Sequence, residues 1–204
     1  MILTRHFVFL HVPKTGGNFV RAVLEEHAPA DWQVARREDH ATFADIPDSH
    51  RGLPKLAFVR NPFAWYVSWF HFQQKTRDAF FLEISDGGRL DFAASMRNVF
   101  RDGGALQHGE GPFLQTLWHM LGRGLEGCRV GKMETMREDL LRLIAEQCPV
   151  SPDMAAAIAS LPAQNTSRHR HYARYYDDEL RALVLQKDRA IFDHFGYRWQ
   201  DAPD

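Results

Sequence analysis

The chain has 204 residues, a formal net charge of −1, 45% hydrophobic residues and 25% charged residues. This length fits one domain with a sizeable core, and the composition is typical of a soluble globular protein. The near-neutral charge gives no support for a broad nucleic-acid-binding surface, so we expect no nucleic-acid partner and only a local site for any anion.

Cysteine content and hydropathy predict the cellular compartment. Cys128 and Cys148 are too few for a disulfide framework and lie in no metal-ligand spacing, which favours free thiols in a reducing compartment. No run of about 18 apolar residues occurs, so we expect no membrane-spanning helix and no membrane partner. Strand-like sequence begins at His6 and leaves no room for a signal peptide, which predicts a cytoplasmic protein. The sequence leaves the oligomeric state open.

The amino-terminal half predicts strands that alternate with helices. A buried strand is expected at 7–10, a helix at 18–27, a short strand near 32–35, a second buried strand at 56–59 and a helix at 62–74. Pro62 suits the first turn of that last helix. Its many aromatic residues indicate burial on more than one face, as in a core helix.

The carboxyl-terminal half continues the alternation. Residues 78–127 predict two short helices between glycine pairs; further on we expect a strand at 128–132 and helices at 134–147, 154–161 and 177–195. Strands that alternate with helices imply an α/β fold, here a single domain over residues 1–204 with a mainly parallel central sheet flanked by helices.

A glycine turn joins the first predicted strand to the first helix, in the sequence Pro13-Lys14-Thr15-Gly16-Gly17-Asn18. Such a turn directs unpaired backbone N–H groups and the positive helix end at one point, where an anion can bind. The glycines permit close backbone approach, Lys14 adds a charge, and Thr15 and Asn18 offer side-chain donors. The simple alternative is a glycine turn with an exposed lysine. Because Lys14 precedes the glycines, the P-loop pattern of ordinary nucleotide phosphotransferases is absent.

A second candidate site follows the second strand, where Arg60-Asn61-Pro62 leads into a helix that carries Ser68. Open α/β sheets bind ligands at the carboxyl ends of their strands, so Arg60 is well placed. An arginine and a hydroxyl are suitable donors for a phosphate monoester. The alternative is an arginine paired with a carboxylate and a serine that bonds back within its helix.

Together the two segments resemble the sulfotransferases that use 3′-phosphoadenosine 5′-phosphosulfate, closest to the carbohydrate-type branch. That family carries a P-K-[TS]-G-[GT] turn for the 5′-phosphosulfate, matched by Pro13 to Gly17. It also carries R-[ND]-P with a serine eight residues after the arginine for the 3′-phosphate, matched by Arg60 and Ser68. The resemblance implies a P-loop-like domain, adenosine 3′,5′-bisphosphate as product, and no metal requirement.

The resemblance extends toward the carboxyl terminus. Lys132-Met133-Glu134 and the stretch from Asn165 to Arg168 are similar to later family segments, and Arg168 is a further candidate for the donor's phosphates. Residues 78–127 show no such match, so we expect this segment to be an insertion on the acceptor side. The expected acceptor is a hydroxyl on a carbohydrate or small molecule.

Two residues are the predicted catalytic groups. Sulfuryl transfer should resemble phosphoryl transfer, so Lys14 would stabilise charge on the leaving oxygen. His40 would accept the acceptor's proton, as a histidine between the first helix and the arginine-bearing strand is also found in some carbohydrate-type relatives. His11, Glu38 and Asp39 are the alternative bases.

Two other functions remain open at the level of sequence. A P-loop phosphotransferase would need a Mg²⁺-binding hydroxyl after the lysine, which Thr15 offers, and an acidic residue at a strand end, which we do not find. The second open function is that of a non-catalytic module that only binds the donor. It stays open because binding and chemistry depend on different residues.

Overall fold

The computed structural model describes residues 1–101, 109–125, 127–162 and 169–200. The chain forms two compact units, one of residues 1–60 with 116–166 and the other of residues 61–115 with 167–204. We call them the sheet unit and the helical unit. Within the described ranges, no helix is both long and apolar enough to cross a membrane.

The described part of the chain is α/β, with five strands in one mixed sheet. The strands are β1 (Ile2–Leu3), β2 (Val8–Phe9), β3 (Ala35–Arg36), β4 (Lys55–Val59) and β5 (Cys128–Lys132), in the order β3-β1-β2-β4-β5. The pairs β2–β4 and β4–β5 are parallel, whereas β1 is antiparallel to both β2 and β3. Four strands therefore run in one direction. The sheet was expected to be mainly parallel, and it is mostly but not wholly so.

The antiparallel strand β1 was not predicted from the sequence. Only four residues separate Leu3 from Val8, and a connection this short permits antiparallel pairing alone. Thr4 closes the turn: its hydroxyl donates to the Phe7 carbonyl at 2.8 Å and accepts from the Phe7 nitrogen at 2.9 Å. The short strand expected near 32–35 lies instead at Ala35–Arg36, after a 3₁₀ turn at Ala30–Trp32.

Nine α-helices occupy the described residues. They are α1 (Gly17–His27), α2 (Pro62–Thr76), α3 (Ala79–Ile84), α4 (Phe92–Arg101), α5 (Pro112–Leu121), α6 (Met136–Ala145), α7 (Pro152–Ser160), α8 (Asp178–Lys187) and α9 (Arg189–Phe195). Three helices, rather than the two expected, fall in the segment 78–127. The single helix expected at 177–195 is wrong, because it breaks at Asp188 into α8 and α9.

The core of the sheet unit lies between the strands and helices α1, α6 and α7. It contains aromatic and aliphatic side chains of the strands, such as Phe9 and Phe58, packed with the apolar side of α1 and with Leu140 and Ile144 of α6. Strands β1, β2 and β4 are buried, whereas both residues of β3 are exposed and β5 is only partly buried. This packing fixes where β2, β4 and β5 end, and therefore where their following turns meet.

The helical unit is built around α2, which is buried on more than one side as expected. Phe63, Trp65, Tyr66 and Val67 are consecutive or nearly so, and each is at most 3% exposed. The Trp65 ring stacks on Phe113 of α5 with a centroid separation of 4.5 Å.

The break at Asp188 has a tertiary cause. Its side chain is fully buried and accepts from the Tyr66 hydroxyl at 2.6 Å and from the Leu114 nitrogen at 3.0 Å. A side chain at Gly111 would overlap the Asp188 carboxyl, so glycine at that position lets α5 begin against it. A local helical pattern contains no information about these partners.

Candidate anion site at the ends of two parallel strands

The turn after β2 has the geometry of a cradle for an anion. Lys14 and Gly16 both adopt left-handed backbone conformations, with φ of 64° and 86°. Gly16 is the N-cap residue of α1, no side chain caps this helix, and its first turn contains no acidic residue. The positive end of α1 therefore faces the turn without a competing carboxylate.

Both glycines of the turn have close neighbours. A β-carbon on Gly16 would overlap the Met136 methyl group of α6, and one on Gly17 would overlap the His11 ring. The imidazole of His11 thus packs on the first turn of α1 where an ordinary side chain would stand. Any larger residue at either position would displace the turn or its neighbour.

Thr15 stabilises the turn from inside. Its side chain is 1% exposed, and its hydroxyl donates to the Val12 carbonyl at 2.8 Å. The hydroxyl proton is committed to this bond, so Thr15 is left with its backbone N–H for an anion. Pro13, Lys14 and Asn18 are partly exposed.

Arg60 brings the second motif to the first. Its Nη1 donates to the Lys14 carbonyl at 3.4 Å, although the two residues are 46 positions apart. They meet because β2 and β4 are parallel neighbours, with Val8 opposite Lys55 and Phe9 opposite Leu56, so that their carboxyl ends lie side by side. Two cationic residues therefore converge at this edge of the sheet.

Ser68 and Arg168 are the two other predicted donor-binding residues. Ser68 belongs to the helical unit, on α2, and is 4% exposed. Thr76 of the same helix bonds back to a carbonyl of the preceding turn, whereas Ser68 makes no such bond within α2. The hydroxyl of Ser68 is therefore not used up by its own helix. Arg168 lies outside the described residues.

His40 lies next to His11 in the sheet unit. Its Nδ1 is 3.4 Å from the His11 carbonyl oxygen, and the two rings are 5.2 Å apart between centroids. His40 is exposed. The segment that carries it is anchored to β1, because the Arg37 nitrogen donates to the Met1 carbonyl at 3.0 Å.

The alternative base Asp39 is occupied by two arginines. Arg36 forms a two-pronged contact with its carboxylate at 2.9 and 3.0 Å, and Arg21 approaches at 3.2 Å. Partial burial raises the pKa of this carboxyl, but the hydrogen bonds and charges of Arg36 and Arg21 outweigh it and hold the pKa below its ordinary value. A carboxylate held in this way is a weak proton acceptor. Sequence reasoning missed both arginines, although Arg36 stands only three positions before Asp39.

His11 is a neutral imidazole at the same place. Burial, followed by the nearby charge of His40, lowers its pKa to about 4. Its ring stacks loosely on Phe9 at 6.2 Å between centroids. His11 therefore packs and orients the surrounding groups without adding a positive charge near neutral pH.

No group of three or more His, Cys, Asp and Glu side chains in the described ranges is arranged to hold a metal ion. No family model, curated protein or solved structure matches the chain.

Proposed function

We propose that this chain is a sulfotransferase that moves a sulfuryl group from 3′-phosphoadenosine 5′-phosphosulfate to an acceptor hydroxyl on a carbohydrate or small molecule. The observation that carries the proposal is the contact of Arg60 with Lys14, which joins the two motifs of the family resemblance at one edge of the sheet. A donor with separate 5′ and 3′ anionic groups needs two such anion sites near each other.

The residues of the chain fit the donor. The P-loop-like turn from Pro13 to Asn18 would hold the 5′-phosphosulfate, since the end of α1 is uncapped and its first turn contains no acidic residue. Arg60 and Ser68 would bind the 3′-phosphate, with Arg168 as a further contact. The donor supplies the reactive sulfuryl group; Lys14 stabilises the negative charge that develops on the leaving oxygen.

His40 is the proposed general base. When its Nδ1–H donates to the His11 carbonyl, its Nε2 carries a lone pair and can accept a proton from the acceptor hydroxyl. Asp39 is less suited because two arginines stabilise its charged form. The neutral His11 ring adds no positive charge that would hinder protonation of His40.

The position of Thr15 argues against a Mg²⁺-dependent phosphotransferase. That reaction needs a hydroxyl after the lysine that faces the metal ion, and here the Thr15 side chain is only 1% exposed and is turned toward the Val12 carbonyl. We further propose that residues 78–127 select the acceptor and that the enzyme works in a reducing, cytoplasmic setting. The free thiols of Cys128 and Cys148 support the latter.

Calorimetry with adenosine 3′,5′-bisphosphate tests the donor site. We expect saturable binding in the presence of EDTA and a rise in melting temperature, because a ligand that binds only the native state stabilises it. AMP should bind more weakly, since it lacks the 3′-phosphate. A preference for ATP with Mg²⁺ would refute the proposal and favour the phosphotransferase.

A further inference from the structure

A cavity with an unusual lining lies at the start of β4, the end of the strand opposite Arg60. It has a volume of about 360 Å³ and is lined by Phe43, Ala44, Ile46, Arg51 and Lys55. All five residues belong to the sheet unit. The lining therefore combines apolar walls with two cationic side chains, and among the described residues no acidic side chain contributes to it.

Lys55 is the feature that points to a ligand. It is the first residue of β4 and is only 8% exposed. Its ammonium group donates to the Arg51 carbonyl and lies 5.5 Å from the centre of the Phe43 ring. Among the described residues, no carboxylate oxygen lies within 4 Å of it.

The two acids nearest in sequence already have other partners. Asp45 accepts from the Thr42 nitrogen at 2.7 Å and from the Thr42 hydroxyl at 2.8 Å. Asp48 pairs with Arg51 at 3.0 Å. Neither carboxylate lies within 4 Å of the Lys55 ammonium group. A mostly buried charge without a carboxylate beside it is costly, and an anionic ligand would offset that cost.

We propose that this cavity binds a small organic monoanion with an apolar body, of the aryl or short-chain carboxylate class. The carboxylate would pair with Lys55, and the body would pack against Phe43 and Ile46. The volume suits such a ligand, since small-molecule pockets start at about 300 Å³. The aromatic face of Phe43 and the cation above it already form one side of the site.

The proposed site is separate from the one at Lys14 and Arg60. Lys55 begins β4 and Arg60 follows its last residue, so a rise of about 3.3 Å per residue places the two roughly 16 Å apart along the strand. A ligand in the cavity therefore acts as a second-site ligand, and the inference does not depend on the proposed sulfuryl transfer.

The inference is tested by titrating the intact chain with phenylacetate and measuring binding by calorimetry or NMR. We expect saturable binding, with phenylacetamide at least about 10-fold weaker because it lacks the charge that pairs with Lys55. Excess adenosine 3′,5′-bisphosphate should leave the affinity unchanged. Equal binding of the acid and the amide, absence of saturable binding, or displacement by the nucleotide would overturn the proposal.

Variants supply the matched controls. Lys55→Met should weaken phenylacetate at least about 10-fold, whereas Lys75→Met, at an exposed lysine, should leave it unchanged. Lys55→Met should also melt no lower than the parent chain, because it removes an uncompensated buried charge. Ala44→Trp fills the cavity from its exposed rim and keeps Lys55, so it should abolish binding as well. Unchanged binding in both cavity variants would refute the site.

Discussion

In the sheet unit burial lowers the pKa of an imidazole, His11, and in the helical unit burial raises the pKa of a carboxyl, Asp188. Burial, reinforced by the charge of His40, lowers the pKa of His11 to about 4. Burial raises the pKa of Asp188 to about 7, against the hydrogen bonds from Tyr66 and the Leu114 nitrogen that lower it. In both cases burial disfavours the charged form.

The neighbours of the two groups differ more than their burial does. His11 lies beside exposed and partly exposed ionisable groups, among them His40 and Arg21, at the edge where β2 and β4 end. Asp188 lies among Tyr66, Leu114 and the ends of α8 and α9, with no solvent exposure. Asp188 therefore serves the fold of the helical unit, whereas His11 lies among ionisable groups at the proposed site.

The largest expected effect separates chemistry from binding in the sheet unit. His40→Ala should lower turnover about 10²- to 10⁴-fold, the usual contribution of one general base. Binding of adenosine 3′,5′-bisphosphate should stay nearly unchanged. His27→Ala, at the last residue of α1, serves as control and should keep full turnover. Near-normal turnover in His40→Ala would transfer the role of base to Glu38, Asp39 or His11.

The second effect tests whether Asp188 is structural. Asp188→Ala leaves the buried Tyr66 hydroxyl and the Leu114 nitrogen without their acceptor, so the free energy of unfolding should fall by about 3 kcal/mol. Urea unfolding measures it. Asp193→Ala, at an exposed partner of Arg189, should change stability by less than about 0.5 kcal/mol. If Asp188→Ala is equally harmless, the buried network does not hold the helical unit together.

A smaller effect separates the two anion positions. Arg60→Ala should weaken adenosine 3′,5′-bisphosphate by about 1.5 to 3 kcal/mol, the value of a lost charge-assisted hydrogen bond, and should affect AMP much less. Isothermal titration of both ligands measures the difference. Arg5→Ala, at an exposed arginine of the same unit, should leave both affinities unchanged. Equal losses for the two ligands would show that Arg60 maintains the turn through its contact with Lys14.

The smallest effect is the opposite pH dependence of the two buried groups. Between pH 6.5 and about 4 the unfolded chain holds a proton on His11 that the folded chain lacks, so this group makes the protein less stable as the pH falls. Between about pH 7 and 3.8 the folded chain holds the extra proton on Asp188, so this group makes the protein more stable as the pH falls. The two contributions oppose each other over most of this range.

Single substitutions should expose each dependence. On acidification from pH 6.5 to 4, Asp188→Asn should lose stability more steeply than the parent chain, and His11→Gln less steeply. Each slope should differ by at most about 1.4 kcal/mol per pH unit, the limit for one proton. Denaturant titrations across this range measure the slopes. Parallel curves for all three proteins would mean that neither group titrates differently on folding.

The elements with strong local signals were predictable. The strand at Lys55–Val59 and the helix that starts at Pro62 follow from an apolar run and from a proline suited to a first helical turn. The glycine turn before α1 was also predictable, because glycines between a strand and a helix permit left-handed conformations such as that of Gly16. In these segments a few neighbouring residues determine the conformation.

The sequence by itself therefore determined the α/β class, the turn from Pro13 to Gly17 and the position of Arg60 after a strand. Only the tertiary structure decided the antiparallel β1, the break at Asp188, the contact of Arg60 with Lys14 and the pairing of Asp39 with two arginines. Each of these depends on groups that lie far apart in the chain or on the choice of partner among many charged residues. Strand pairing and burial settle those choices, because a buried polar group must find a partner wherever the fold supplies one.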